Sequence, residues 1–301
     1  MKALKLFLAC VFIGLTMFTT GHASDSKTGA LLWKISSKGL EKPSYILGTF
    51  HLAPKEKLDS IPGATKALDA CEQVVGEIIM ADALSQPQKM QEAGMMPADT
   101  TYQMLYTEKE YQRVNENIKN FLGVDLGQLG ALKPSLIQVT IAMQMFLEYI
   151  PEINPAESID NYVQQYATET GKKILGLESV EEQYHVLFKT TSLKRQAELL
   201  LCMLEETEHG HDLIITLIEA YNQADLTTMQ NLMVDKESQC PPTQAEIDVL
   251  LKNRNDKWIE KLPAIMSERS SFIAVGAGHL TGETGLLTQL EKLGYLVEPV
   301  F

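Results

Sequence analysis

The sequence is short of basic charge, of cysteine and of long apolar runs, and each shortage narrows the function classes. Its 301 residues carry 26 Lys and Arg against 39 Asp and Glu, a formal charge of −13. So acidic a chain argues against nucleic acid and anionic lipid as partners. Four cysteines occur, and the three beyond the first run (Cys71, Cys202, Cys240) have a spacing that fits no zinc motif. There is no Gly-x-Ser-x-Gly elbow, no His-Glu-x-x-His helix, no P-loop and no dinucleotide fingerprint. Nucleotide chemistry and the common serine and zinc-helix hydrolases lose support accordingly. No short repeat and no low-complexity tract is visible.

The one uninterrupted apolar run of length stands at the start. Lys2 and Lys5 precede "LFLACVFIGLTMF", and the small residues of "TTGHA" follow. This pattern predicts a signal peptide over residues 1–23, cleaved after Ala23. The run is shorter than the roughly 20 residues of a membrane span, and no later segment is expected to span one. "FLAC" loosely resembles a lipoprotein box, but the apolar core continues past Cys10. The expected location is therefore periplasmic or secreted. Removing the leader leaves 24 basic against 39 acidic residues, a formal charge of −15. Export permits a disulfide. Cys202 and Cys240, each near a helix end, are the expected pair, with Cys71 a buried thiol; the alternative is three unpaired buried cysteines.

"LLWKI" and "YILGTF" flank "SSKGLEKPS", which predicts a β-hairpin. "SIPGATKALDAC" predicts a short helix with Ser60 as N-cap and Pro62 in its first turn. "EQVVGEII" reads as a strand holding Glu77, and "LSQPQKMQEAGMMPADT" as a loop. Residues 101–167 are helical in pattern. "KKILGLE" reads as a buried strand, and Ser179 with Glu182 makes a capping box for the next helix. Further helices lead to a long one over 244–262. Strand, helix and strand then close the chain, the last strand carrying Glu298. Strands cluster at both ends, and helices fill about 85–170 and 179–265. The expected class is α/β with a mixed, α+β-like character. One domain over 24–301 would hold a central mixed sheet built from both chain ends, with a large helical insertion as a cap.

One feature recurs. "YILGTFHL" at 45–52 and "IAVGAGHL" at 273–280 are each an apolar strand followed by G-x-x-H-L. Reactive side chains collect at strand ends in such sheets. Glycines there (Gly48, Gly276, Gly278) admit a close approach of backbone or ligand. On neighbouring strands, His51 and His279 would face one crevice. Two neutral imidazoles with one or two carboxylates suit a divalent transition metal. Glu77 and Glu178 end apolar runs, where an unpaired charge is costly; each also fits a residue that merely marks where a strand leaves the core. Arg254 shares an apolar helix face with Ile247, Leu251, Trp258 and Leu262. It calls for a carboxylate of protein or substrate, unless it snorkels at the margin. "EHGH" places His209 and His211 in a solvated loop between helices, and His185 reads as a packed core histidine.

The segments "LLWKISSKG", "SYILGTFHL", "VVGEI", "LKPSL", "ILGLESVEEQ", "RNDKW" and "FIAVGAGHLTGETGLLTQLEKLGYLVEPV" occur in an order that resembles the TraB/PrgY/GumN family. The resemblance covers about residues 31–301. That family includes the Tiki proteases and is distantly similar to erythromycin esterase and ChaN-like folds. It implies a metal-dependent hydrolase scaffold with a central sheet and helical cap. The Tiki branch is proteolytic, with manganese- or cobalt-like dependence, and PrgY and TraB reduce peptide-pheromone activity. The resemblance is strongest to GumN-like members with signal peptides, and a C-terminal membrane anchor like that of the Tiki branch is not expected. It departs from the usual pattern in having a glycine directly before Glu77 and no acid after it.

By that resemblance His51 and His279 bind a divalent metal (Mn, Co or Zn). One of Glu77 and Glu178 completes the site, and the other acts as general base or orients a histidine. Arg254 and Asn255 stabilise an oxyanion or a substrate carboxylate, and segment 276–278 supplies backbone N–H donors. The expected function is an exported, peptidase-like metallohydrolase acting on a peptide or small molecule. Two rivals stand beside it: a binding protein that sequesters such a ligand, and a metal-free, esterase-like hydrolase using His51 as base.

Overall fold

The computed structural model describes residues 29–37, 39–151, 154, 157–234 and 237–301. The signal peptide expected over 1–23 lies outside the described residues. Six strands are present among them: β1 (Leu32–Ser36), β2 (Ser44–Thr49), β3 (Gln73–Gly76), β4 (Lys173–Gly176), β5 (Ser271–Gly276) and β6 (Leu296–Pro299). They form one mixed sheet in the order β4-β3-β5-β2-β1-β6. The α/β class, with a sheet drawn from both ends of the chain, is as expected. The hairpin is also as expected: β1 pairs antiparallel with β2, Trp33 facing Ile46.

The centre of the sheet is parallel. β2 runs beside β5 with Thr49 opposite Gly276, β3 beside β5 with Gly76 opposite Ala274, and β3 beside β4 with Gly76 opposite Gly176. Every residue of β5 is buried. That is why "SFIAVG" is a continuous run without polar alternation: helices cover both faces of a central parallel strand. The parallel pairing brings the C-terminal ends of β2, β3, β4 and β5 to one edge of the sheet.

Helices occupy the chain between β3 and β4 and between β4 and β5. Phe50, just past β2, packs with its ring 5.6 Å from Phe146 and 5.7 Å from Tyr221, tying two of these helices to the sheet. Burial of each such aromatic side chain contributes about 1.5–3 kcal/mol.

Several local expectations are corrected. Ser60 ends a short helix (Glu56–Ser60), and the next helix (Ala64–Ala70) starts behind Gly63 at φ 73°, a left-handed position that suits glycine. The first part of the region read as a loop is helical, within Met80–Ser85 and Pro87–Gly94, with Pro87 as the first residue of the second helix; residues 95–100 are irregular. The long helix near the end is two, Gln244–Leu250 and Lys252–Glu268, broken at Leu251. β4 is an edge strand and only part-buried, because it has a neighbour on one side alone. Glu298 sits on the opposite edge strand and pairs with Lys34, far in strand order from β3.

Cys202 and Cys240 are joined as a disulfide with Cα atoms 6.2 Å apart, and Cys71 is a free buried thiol. Burial pushes the Cys71 thiol up to about 12. Mass spectrometry of the purified protein, alkylated without reduction, is expected to show one cysteine pair blocked. Cys71 should react at pH 8 only after unfolding. Replacing both partners by serine is expected to lower unfolding free energy by about 2–4 kcal/mol. A doubly alkylatable native protein would refute the pairing.

Candidate active site

Four side chains stand just beyond the four parallel strand ends. His51 follows β2, Glu77 follows β3, Glu178 follows β4 and His279 follows β5. The sheet register alone therefore converges them. Glu77 is at the centre: its Oε1 is 3.8 Å from His51 Nε2 and 3.9 Å from His279 Nε2. Both imidazoles therefore present a nitrogen to the same carboxylate oxygen.

Arg254 reaches the cluster from the Lys252–Glu268 helix. Its Nε donates to Glu178 Oε2 at 3.0 Å, and Nη2 donates to Glu178 Oε1 and to Glu77 Oε2, each at 2.6 Å. Nη1 donates to His279 Nε2 at 2.9 Å and to the Leu250 carbonyl at 3.3 Å. Its face also stacks 4.5 Å from the Trp258 ring centre. Five N–H groups therefore meet five protein acceptors. In this arrangement Arg254 organises the site, and its N–H groups are spent before any substrate arrives.

The same holds for Asn255. Its Oδ1 accepts from His279 Nδ1 at 2.7 Å, while Nδ2 donates to the His279 and Thr284 carbonyls. Because arginine always donates, His279 Nε2 must be the acceptor and Nδ1 must carry the proton. Asn255 and Arg254 together fix one neutral tautomer.

Asp160 was not singled out by the sequence. It lies in the first turn of the Ile159–Glu169 helix, where an acidic residue is ordinary. In the fold its Oδ2 accepts from His51 Nδ1 at 3.0 Å, and its Oδ1 accepts from Thr49 Oγ1 at 2.8 Å. That pair turns the Nε2 edge of His51 toward Glu77. Gln183 was missed too; its amide donates to Glu77 Oε2 at 3.4 Å and to Glu178 Oε1 at 3.3 Å.

These contacts set the charges. Burial works against ionised Glu77, but Arg254, His279, His51 and the Gly276 N–H together hold its carboxyl down at about 2. Glu178 moves the other way: burial raises its carboxyl, with the Arg254 fork working against the rise. Burial, reinforced by Arg254, lowers His279 to about 3. Burial also opposes a charged His51, but Asp160 and then Glu77 outweigh it and raise the ring to about 9.

Gly276 leaves the space over which the cluster meets. A Cβ there would lie 3.3 Å from both Glu77 Oε1 and His51 Nε2, and 3.7 Å from His279 Cδ2. An imidazole backed by a carboxylate, with a second carboxylate facing it, is a donor set for a borderline dication. His51 and Glu77 fit that role. His279 currently gives its Nε2 lone pair to Arg254. Among the described residues no group of three or more His, Cys, Asp and Glu forms a ready cation cage.

The remaining candidates lie elsewhere. His209 and His211 fall in the opening turns of a helix (Thr207–Asn222), not in a loop, and His211 Nδ1 bonds Tyr149 at 2.7 Å. His185 is exposed on its helix rather than packed in the core. Gly48 is required for contact: a Cβ there would come within 2.8 Å of Leu280 Cδ1.

The charge pattern gives a pH dependence for chelator-treated protein. His279 and Glu77 bind protons less readily folded than unfolded, so their stabilisation is lost on acidification, from 6.5 toward 3 and from 4.5 toward 2. His51 binds its proton more tightly folded, so its contribution is lost as pH rises from 6.5 to about 9. Urea midpoints are therefore expected to peak near pH 6.5, with His51→Asn flattening the alkaline limb. A midpoint unchanged between pH 4 and 9 would contradict this.

Comparison with known proteins adds the context. The TraB/PrgY/gumN family matches residues 31–299. "Metalloprotease TIKI2" of Danio rerio is 24% identical over 326 aligned residues, covering 91% of this chain and 62% of the relative. "Metalloprotease TIKI2" of Xenopus tropicalis is 24% identical, covering 91% and 60%. "Metalloprotease TIKI1" of Homo sapiens is 24% identical, covering 91% and 62%. The chain spans about three fifths of the length of these relatives. No solved structure matches at a comparable level. The match runs from β1 to β6 and takes in all four strand-end residues, and on that ground the chain belongs to the TraB/PrgY/gumN family.

Proposed function

We propose that this chain is an exported, peptidase-like hydrolase whose reaction centre is the His51, Glu77 and His279 cluster, and that the cluster works with a divalent transition metal. The observation that carries this reading is the convergence of the three side chains over Gly276, at the ends of adjacent parallel strands. Relatives named metalloproteases support the peptidase and metal parts. The expected leader and the Cys202–Cys240 bond support action outside the cytoplasm. Among the described residues no helix is long and apolar enough to cross a membrane.

His51 Nε2 and Glu77 Oε1 would hold the ion, which when bound supplies Lewis acidity toward a carbonyl and toward water. Asp160 orients His51 through Nδ1, and the Gly276 N–H fixes Glu77 Oε1. Arg254 keeps Glu77 ionised and, with Asn255, keeps His279 neutral. Glu178 grips Arg254 from the far side, so its role is to position rather than to react. In the hydrolysis itself water adds to the carbonyl carbon, the C–N bond breaks, and a proton passes to the leaving amine. The Asp160–His51 pair also favours a second reading, a metal-free hydrolase in which His51 Nε2 carries that proton.

Metal analysis and cleavage of a peptide mixture test both. The expected result is about one Mn, Co or Zn per chain, activity lost on chelation and restored by one of these ions. His51→Ala and Glu77→Gln are each expected to lower cleavage by about 100-fold or more. Asp160→Asn should weaken metal affinity by about 10–100-fold. Gly276→Ala is expected to fold, since its φ of −52° suits alanine, yet to lose metal and activity. Metal-free protein that still cleaves peptides selects the second reading. Tight peptide binding without turnover points instead to a sequestering protein.

A further inference from the structure

A cavity of about 80 Å³ lies directly against the reaction centre. Thr49, His51 and segment 276–279 form one side of it. The facing wall is Leu213, Ile214, Leu217, Met229, Leu232 and Met233. All six wall residues fall between Cys202 and Cys240, on the helices Thr207–Asn222 and Leu226–Leu232 and the turn that follows. One disulfide-closed segment thus supplies most of the apolar lining, with Phe50, Phe146 and Leu251 completing it, and the sheet supplies the chemistry.

We propose that this cavity is a specificity pocket that takes one apolar substrate side chain, of leucine to phenylalanine size, beside the bond that is cut. The inference rests on reading the histidine–glutamate cluster as the reaction centre. The size argument uses about 10–15 Å³ per water-sized group, which gives room for about five to eight such groups. That matches a branched or aromatic side chain and exceeds alanine. The chemistry argument comes from the lining. Apart from Thr49 and the two histidines, its side chains are apolar. A carboxylate or ammonium placed among them would be buried without a partner. Two of the wall residues are methionines, which adapt to side chains of different shape. Gly278 sets the spacing: a Cβ there would come within 2.5 Å of Met233 Sδ, so glycine lets that thioether lie against the strand-end turn.

Two readouts test the pocket. The first is cleavage-site profiling with a pool of proteome-derived peptides. One position flanking the cut is expected to favour Leu, Met and Phe over Asp, Glu and Lys by about 10-fold or more. Leu217→Trp and Leu213→Trp, made separately, should shift that preference to Gly and Ala. The second needs no turnover and no variant: methionine-methyl NMR of the full chain with N-acetyl-leucinamide and with N-acetyl-aspartamide. The Met229 and Met233 signals are expected to move with the first compound and not with the second. Cleavage with no apolar preference at any flanking position overturns the proposal, as do methyl signals that ignore the leucine probe or answer both probes equally. If no peptide is cut at all, the hydrolase reading fails, and the methyl signals alone judge the pocket.

Discussion

The Arg254 guanidinium is a charge taken out of water, with its side chain 3% exposed, and the reaction centre is arranged around that cost. Removing an ion from water costs several kcal/mol even after relaxation. Here the cost is offset by two carboxylates, an imidazole, a carbonyl and an indole face. The dependence runs both ways. Glu77 and Glu178 are themselves nearly dry, at 5% and 6% exposure, and neither would stay ionised beside the other without the cation between them. His279 stays neutral because it is buried and because a positive neighbour donates to its Nε2 lone pair. One residue thereby sets the charge on two others and shapes that of a third.

These contacts cannot form locally. Arg254 is separated from Glu77 by 177 positions, and His51 from Asp160 by 109. Each pair closes only when a strand end and a helix from another part of the chain have both docked. The sheet supplies the first halves, through the parallel register of β2, β5, β3 and β4. The helices supply the second. The Leu250 carbonyl, next to the break at Leu251, accepts from Arg254 Nη1 and so ties the preceding helix to the same guanidinium.

The same separation explains what could be read in the sequence. His51 and His279 were legible because each follows an apolar run and a glycine, and the repeated pattern linked them across the chain. Arg254 was legible because a charge on an apolar helix face needs a partner; the partners turned out to be the two glutamates, and a substrate carboxylate is not required to explain it. Asp160 was illegible because a first-turn acid is already accounted for by the helix dipole. Nothing local marks that it also serves a histidine from the other end of the fold. The loop misread within 84–100 has the same cause in reverse. Pro87 stands where one helix ends and the next begins, and packing of Met90 and Ala93 against the helix at Val180–Lys189 distinguishes this from a loop. The break at Leu251 carries no glycine or proline, so periodicity ran straight through it.

The cap and the sheet answer to different constraints. Around Gly276 the tolerances are a few tenths of an ångström: a methyl group there would press on Glu77 Oε1 and His51 Nε2 at 3.3 Å. The facing wall is mixed: Leu213, Ile214, Met229 and Leu232 are buried, while Leu217 and Met233 are only part-buried. The part-buried pair is held less tightly by packing. The Cys202–Cys240 bond compensates, because it pins both ends of the wall segment at one place and removes about 4 kcal/mol of loop freedom from the unfolded chain. A wall fixed at its ends and soft in its middle can change side chains without disturbing the buried charge network opposite. Substitutions in segment 203–239 are therefore free to alter what the cavity admits, while those at the strand ends alter whether the centre works at all.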